Sequence, residues 1–152
     1  MGKYVNSTFH EKENRALRIL KRVHTDVCVP FSVASTTKHR YYVIFVDEYS
    51  RRCWIFFMQK KSETFSQFCE FKELVEKELG KQVKALWSDN GGEYISNEFK
   101  EFCRKERIQR ELIVPHNPQP NGVAKRKNKM IVGAARAMLH DQGLPIHLWA
   151  EA

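Results

Sequence analysis

The feature that most constrains this chain is the run Tyr41-Tyr42-Val43-Ile44-Phe45-Val46, which has no polar break. A strand with one wet face alternates apolar and polar residues, so an unbroken run calls for a strand covered on both faces. A second apolar run, Cys53 to Met58, follows across Asp47-Glu48-Tyr49-Ser50. Those four residues suit a turn, so the two runs read as a hairpin. From Ser62 the period changes to that of a helix. Phe65, Phe68, Phe71, Leu74, Val75 and Leu79 fall on its inner side, with Ser62 as N-cap and Gly80 as C-cap. A short strand, Val83 to Trp87, ends in the glycine turn Ser88-Asp89-Asn90-Gly91-Gly92. A helix from Glu93 to Glu106, a strand from Ile108 to Val114, a proline-rich loop and a helix from Gly122 to His140 complete the pattern. Before the hairpin, Val23 to Val29 reads as a further strand that stops at Pro30. Repeated β-α-β order requires parallel strands with crossover helices, and the hairpin makes the sheet mixed. The expected class is α/β, a mixed five-stranded sheet flanked by helices.

At 152 residues the chain suits one domain. Residues 22–152 are expected to form it, with residues 1–21 as an arm or linker that holds at most a short helix from His10 to Leu20. Ten Phe, five Tyr and three Trp are enough for a real core. No apolar run approaches the ~20 residues of a membrane span, and no signal peptide is expected. The Met1-Gly2 start is only a weak myristoylation signal. Cys28, Cys53, Cys69 and Cys103 contain no C-x-x-C pair, so buried free thiols are expected rather than a zinc or redox motif. The net charge of +8 is concentrated at the two ends of the chain, while residues 23–100 balance. Basic ends suit a polyanion partner, and they suit ordinary solubilisation equally well.

Two aspartates occupy chemically suggestive places. Asp26 lies within the first strand and Asp89 closes the fourth. In such sheets chemistry gathers at strand ends beside helix starts. Two neighbouring carboxylates there could share Mg²⁺, which prefers oxygen ligands. The residues alone leave the alternative open: Asp89 to Gly92 also makes an ordinary turn, and Asp26 could be a hydrogen-bonded strand residue. Asp47 and Glu48 read as hairpin residues. Glu93 reads as the acid that opens the second helix, and is the nearest spare carboxylate to the proposed site.

Longer segments say more. His24-Thr25-Asp26-Val27-Cys28, Tyr42 to Arg51, and Ser88-Asp89-Asn90-Gly91-Gly92-Glu93-Tyr94 occur in that order. His116-Asn117-Pro118-Gln119, Asn121-Gly122-Val123-Ala124, Arg126-Lys127-Asn128 and Leu148-Trp149-Ala150-Glu151-Ala152 follow. Together they resemble the integrase catalytic core of copia-type LTR retrotransposons over nearly the whole chain from about residue 20. The resemblance implies a ribonuclease-H-like fold and an Asp, Asp, Glu triad that holds two Mg²⁺ (or Mn²⁺). It also implies cleavage of the element's DNA ends and their joining to target DNA. Asp26 and Asp89 match the first two acids as catalytic and metal-binding residues. The family separates the second Asp from the Glu by 35 residues. Counting 35 from Asn90 reaches Ala124, so the third position is 125, which holds Lys125.

Further departures are Pro120 where the family has Gln, Val29 where it has Gly, and no upstream His/Cys zinc domain. The family's sequence continues past Ala152, so the C-terminal end of the core is expected to be truncated. Lys125 is expected to pair with one or both aspartates in place of a cation, and so to impair catalysis. Lys129, one turn further on, shares its face. Asn117, Asn121, Arg126, Lys127 and Lys129 are expected to line a DNA-facing stripe. The run from Lys125 also resembles a nuclear localisation patch, leaving nucleus or cytoplasm of the host cell open. The resemblance implies DNA partners, both element ends and target, and a homodimer or higher oligomer. The competing readings are a non-catalytic DNA-binding or self-association module, and a relic fragment.

Overall fold

In the computed structural model, residues 15–113 and 122–151 are described. Five strands form one sheet: β1 Val23–Cys28, β2 Tyr41–Asp47, β3 Cys53–Met58, β4 Ala85–Asp89 and β5 Gln109–Ile113. Their spatial order is β3-β2-β1-β4-β5. β1, β2 and β3 run antiparallel, while β4 pairs parallel with both β1 and β5. The helices are α1 Thr64–Leu79, α2 Asn97–Lys105 and α3 Gly122–Asp141.

The apolar run is covered on both faces, as its composition requires. Val43 and Phe45 join the core beneath α1 and α2, with Phe68, Phe71, Val75 and Phe99. Phe45 stacks on Phe71 at a centroid distance of 4.3 Å. Tyr42, Ile44 and Val46 point the other way, to a second core with Ala124 and Leu139 of α3 and with Trp149. Successive strand residues alternate between faces, so β1 divides likewise: Val23, Thr25 and Val27 lie on the α1 side, and His24, Asp26 and Cys28 on the α3 side.

Four local expectations are corrected. Ser62 does not cap α1: a 3-10 turn, Lys61–Glu63, precedes Thr64. Gly80 closes that helix at φ 63°, as expected, but Leu74 is 48% exposed rather than packed inward. The second helix is split. Gly92–Tyr94 forms a 3-10 turn, and α2 starts only after Ser96, whose Oγ accepts the Phe99 amide at 3.2 Å. A serine side chain that satisfies a free first-turn donor fixes a helix start better than the acid-first pattern does. Of the short helix expected from His10 to Leu20, residues 10–14 lie outside the described residues, and residues 15–20 form turns and bends rather than a helix. Leu20 is fully buried while Leu17 is 74% exposed. The Leu20 amide donates to Asp47 Oδ1 (2.8 Å) and the Ala16 amide to Glu48 Oε2 (2.7 Å). This stretch is therefore fastened to the hairpin by side-chain acceptors. No described helix is long and apolar enough to cross a membrane.

Candidate metal and nucleic-acid site

β1 and β4 are joined by two rungs, Val23↔Leu86 and His24↔Trp87. Two residues beyond the second rung on each strand stand Asp26 and Asp89. Alternation puts both on the face of His24 and Trp87, whose rings meet edge to face at 5.4 Å. The two aspartates therefore lie level on adjacent parallel strands, Asp89 closing β4 and Asp26 two residues short of the end of β1, near where α/β sheets place their ligands.

Asp26 is half-buried, and Asn128 on α3 donates from Nδ2 to its Oδ2 at 2.9 Å. Burial pushes the Asp26 carboxyl above its ordinary value, and the negative charges of Asp89 and Glu93 push it the same way. The Lys125 ammonium and the Asn128 bond oppose that rise. Asn128 is itself buried, and among the described residues its Oδ1 has no hydrogen-bond partner. The sequence quoted Asn128 only as part of a motif. Its position one turn past Lys125 was the available signal.

Asp89 accepts the Gly91 amide on Oδ1 at 2.9 Å. Gly91 is there for room rather than for its backbone angle, since its φ is −57°. A Cβ at 91 would sit 2.8 Å from Glu93 Oε1 and 2.9 Å from Asp89 Oδ1. Asp89 and Glu93 thus converge over Gly91, and their carboxylate ends would have to shift to admit a side chain there.

Lys125 stands on the first turn of α3 and is exposed. It makes no ion pair within 4.0 Å of Asp26 or Asp89 among the described residues, so the expected pairing is corrected to action at longer range. Helix residues advance by about 100° each. With Ala124 and Asn128 facing the sheet, Lys125, Arg126 and Lys129 share the outer side, and Lys127 lies half-buried on the opposite flank. Asn117 and Asn121 lie outside the described residues.

The two aspartate carboxylates are hard donors suited to Mg²⁺. The third position offers an ammonium, so the residues fit a divalent cation in part only. Among the described residues no three His, Cys, Asp or Glu side chains are grouped closely enough to hold a metal ion.

Asp47 and Glu48 are not part of this site. Asp47 is fully buried and accepts from Leu20 N, Ser50 N and Ser50 Oγ. Glu48 accepts from Ala16 N, Arg22 and His24 Nε2. All four cysteines are free thiols, as expected, but only Cys103 is buried; Cys28, Cys53 and Cys69 are half-buried.

A mixed sheet in this order, helices on both faces and two aspartates level at a strand-end opening define a ribonuclease-H-like protein. Integrase core domains are a branch of that class, and the Integrase core domain family matches residues 18–118. This chain belongs to that family. It is 43% identical, over 99% of its length, to the Retrovirus-related Pol polyprotein from transposon TNT 1-94 of Nicotiana tabacum. It is 31% identical, over 95% of its length, to the corresponding polyprotein from transposon RE1 of Arabidopsis thaliana. It spans only 11% and 10% of those proteins. Among solved structures it resembles the HTLV-2 integrase catalytic core domain in complex with magnesium, in its dimeric form. That match has 25% identity and a TM-score of 0.62, covering 89% of this chain and 82% of that one. The simian T-cell lymphotropic virus intasome in complex with PP2A regulatory subunit B56 gamma shares the fold. Its TM-score is 0.69 at 21% identity, covering 90% of this chain and 49% of that one.

Proposed function

We propose that this chain is a retrotransposon integrase core that keeps the fold, the aspartate pair and a DNA-facing helix, but is impaired in catalysis by Lys125. The observation that supports this reading is the set of charges around Asp26. Asp89 and Glu93 are its anionic neighbours, and Lys125 is the cationic one.

In the family reaction, divalent cations activate the attacking oxygen and stabilise the leaving one. Asp26 and Asp89 are the residues of this chain that would hold them. Asn128 orients Asp26 through its amide. Lys125 contributes positive charge where a third anion would favour a second cation, so it opposes metal binding by repulsion. The exposed ammonium and guanidinium groups of Lys125, Arg126 and Lys129 bind DNA phosphates without reading sequence. The magnesium and the dimer of the HTLV-2 core support a metal requirement and self-association for an intact member of the family.

The test measures Mn²⁺ binding by calorimetry and strand transfer for the unmodified chain and for Lys125→Glu. The reading expects weak binding and little joining in the first, and a gain of both in the second. Equal metal affinity in the two chains would remove the role given to Lys125.

A further inference from the structure

Only two backbone rungs hold β1 to β4, and both lie before the aspartates. No backbone rung joins β1 to β4 at the level of Asp26 and Asp89, which leaves room for side-chain bonds to set their spacing. Beneath the glycine turn, on the α1 side of the sheet, runs a set of side-chain bonds. Tyr94 is buried, and its hydroxyl meets Thr25 Oγ1 at 3.1 Å, next to Asp26 in sequence. Arg110 on β5 donates from Nη2 to the Tyr94 carbonyl at 2.9 Å and, at a long 3.4 Å, to Ser88 Oγ beside Asp89. Its guanidinium lies 4.4 Å above the Phe99 ring. Tyr94 N donates to Gly91 O at 3.0 Å, which closes the turn itself.

We propose that Arg110, Tyr94 and Thr25 form a brace from β5 under the turn to β1, and that they are positioning residues for the two aspartates. Two features separate this from ordinary core packing. A phenylalanine would fill the Tyr94 site equally well, and a buried hydroxyl is costly unless it is paired. Its partner here is the residue beside Asp26. Arginine is likewise an expensive choice for a site facing an aromatic core, but its long stem brings one nitrogen, Nη2, within reach of both ends of one turn. Ser88 and Tyr94 flank the stretch that carries Asp89 and Glu93, so holding both fixes that stretch as a unit. Groups that orient carboxylate ligands act through their own fixed partners.

The proposal rests on reading Asp26 and Asp89 as the working pair, so its test includes a readout that needs no metal. Tyr94→Phe and Thr25→Val each remove one half of the buried bond while keeping the side-chain shape. Arg110→Met keeps the stem and removes the Nη2 donor. In the unmodified chain, amide hydrogen exchange is compared between Gly91–Glu93 and β5. The brace predicts exchange about tenfold faster in the turn than in the parent, with β5 unchanged. It also predicts that Tyr94→Phe and Thr25→Val together have no more effect than either alone. In the Lys125→Glu chain, Mn²⁺ affinity should fall roughly threefold to tenfold with Tyr94→Phe. Unchanged turn exchange, exchange raised equally in turn and β5, or additive effects would each overturn the brace. So would unchanged Mn²⁺ affinity. If Lys125→Glu binds no Mn²⁺ at all, the reading of the aspartate pair fails, and the exchange comparison alone decides the brace.

Discussion

Glu48 offers a quantitative test of how the segment before β1 is held. Its carboxylate takes four contacts: the Ala16 amide at 2.7 Å, Arg22 Nη1 at 3.0 and 3.3 Å, and His24 Nε2 at 3.0 Å. Burial alone would raise its pKa. The bonds from His24 and Ala16, with the charge of Arg22, outweigh burial and lower it from 4.5 to about 2. That gap corresponds to about 3 kcal/mol of stability at neutral pH. Because the folded value lies below the ordinary one, this stability is present above pH 4.5 and is lost as pH falls toward 2. Glu48→Gln keeps the shape but not the charge, so about 2–3 kcal/mol should be lost at pH 7. Urea unfolding of both chains from pH 7 to pH 3 measures this. The parent should lose stability steeply below pH 4.5, and the variant should fall less, so the two curves converge. Parallel curves would refute the account of Glu48 as an ionised clasp.

Three further outcomes follow from the site. Asn128→Ala removes a bond that lowers the Asp26 pKa, so carboxyl-carbon NMR should show Asp26 titrating at higher pH than in the parent; an unchanged titration would mean that the bond is unimportant in solution. Gly91→Ala makes the Asp89 and Glu93 carboxylate ends, 2.8–2.9 Å from the new methyl, swing aside; because these ends are flexible it should cost no more than about 1 kcal/mol in urea unfolding, and a larger loss would mean that the turn cannot give. Lys129→Ala should weaken duplex binding uniformly across sequences and reduce its salt slope by about 1, as read by fluorescence anisotropy over a salt series. An unchanged slope would take Lys129 off the DNA-facing side.

The large elements were legible in the sequence because their signals are local. The run from Tyr42 to Val46 demanded cover on both faces, and Gly80 marked a helix end through its left-handed backbone. The aspartate pair was legible only as two strand-end acids, and it took the longer family segments to single them out. What escaped were bonds between residues far apart in the chain. No local pattern says that the Asp47 carboxylate will hold the Leu20 amide, or that Asn128 will reach across 102 positions to Asp26. The Lys125 pairing failed for the opposite reason. The lysine stands on the first turn of α3, but an exposed long side chain gains little by giving up water for one contact geometry. Ser96 shows a subtler limit: the acid Glu93 marked the helix start in the sequence, whereas the serine three residues later is the cap in the folded chain.

The central claim is that one lysine separates this chain from a working member of its family. The most direct measurement sets the unmodified chain beside Lys125→Glu in Mg²⁺- or Mn²⁺-dependent joining of DNA ends, with metal affinity measured on the same samples. The account predicts weak metal binding and little joining by the unmodified chain, and tighter binding with measurable joining by the variant. Robust joining by the unmodified chain, or no gain in the variant, would contradict it.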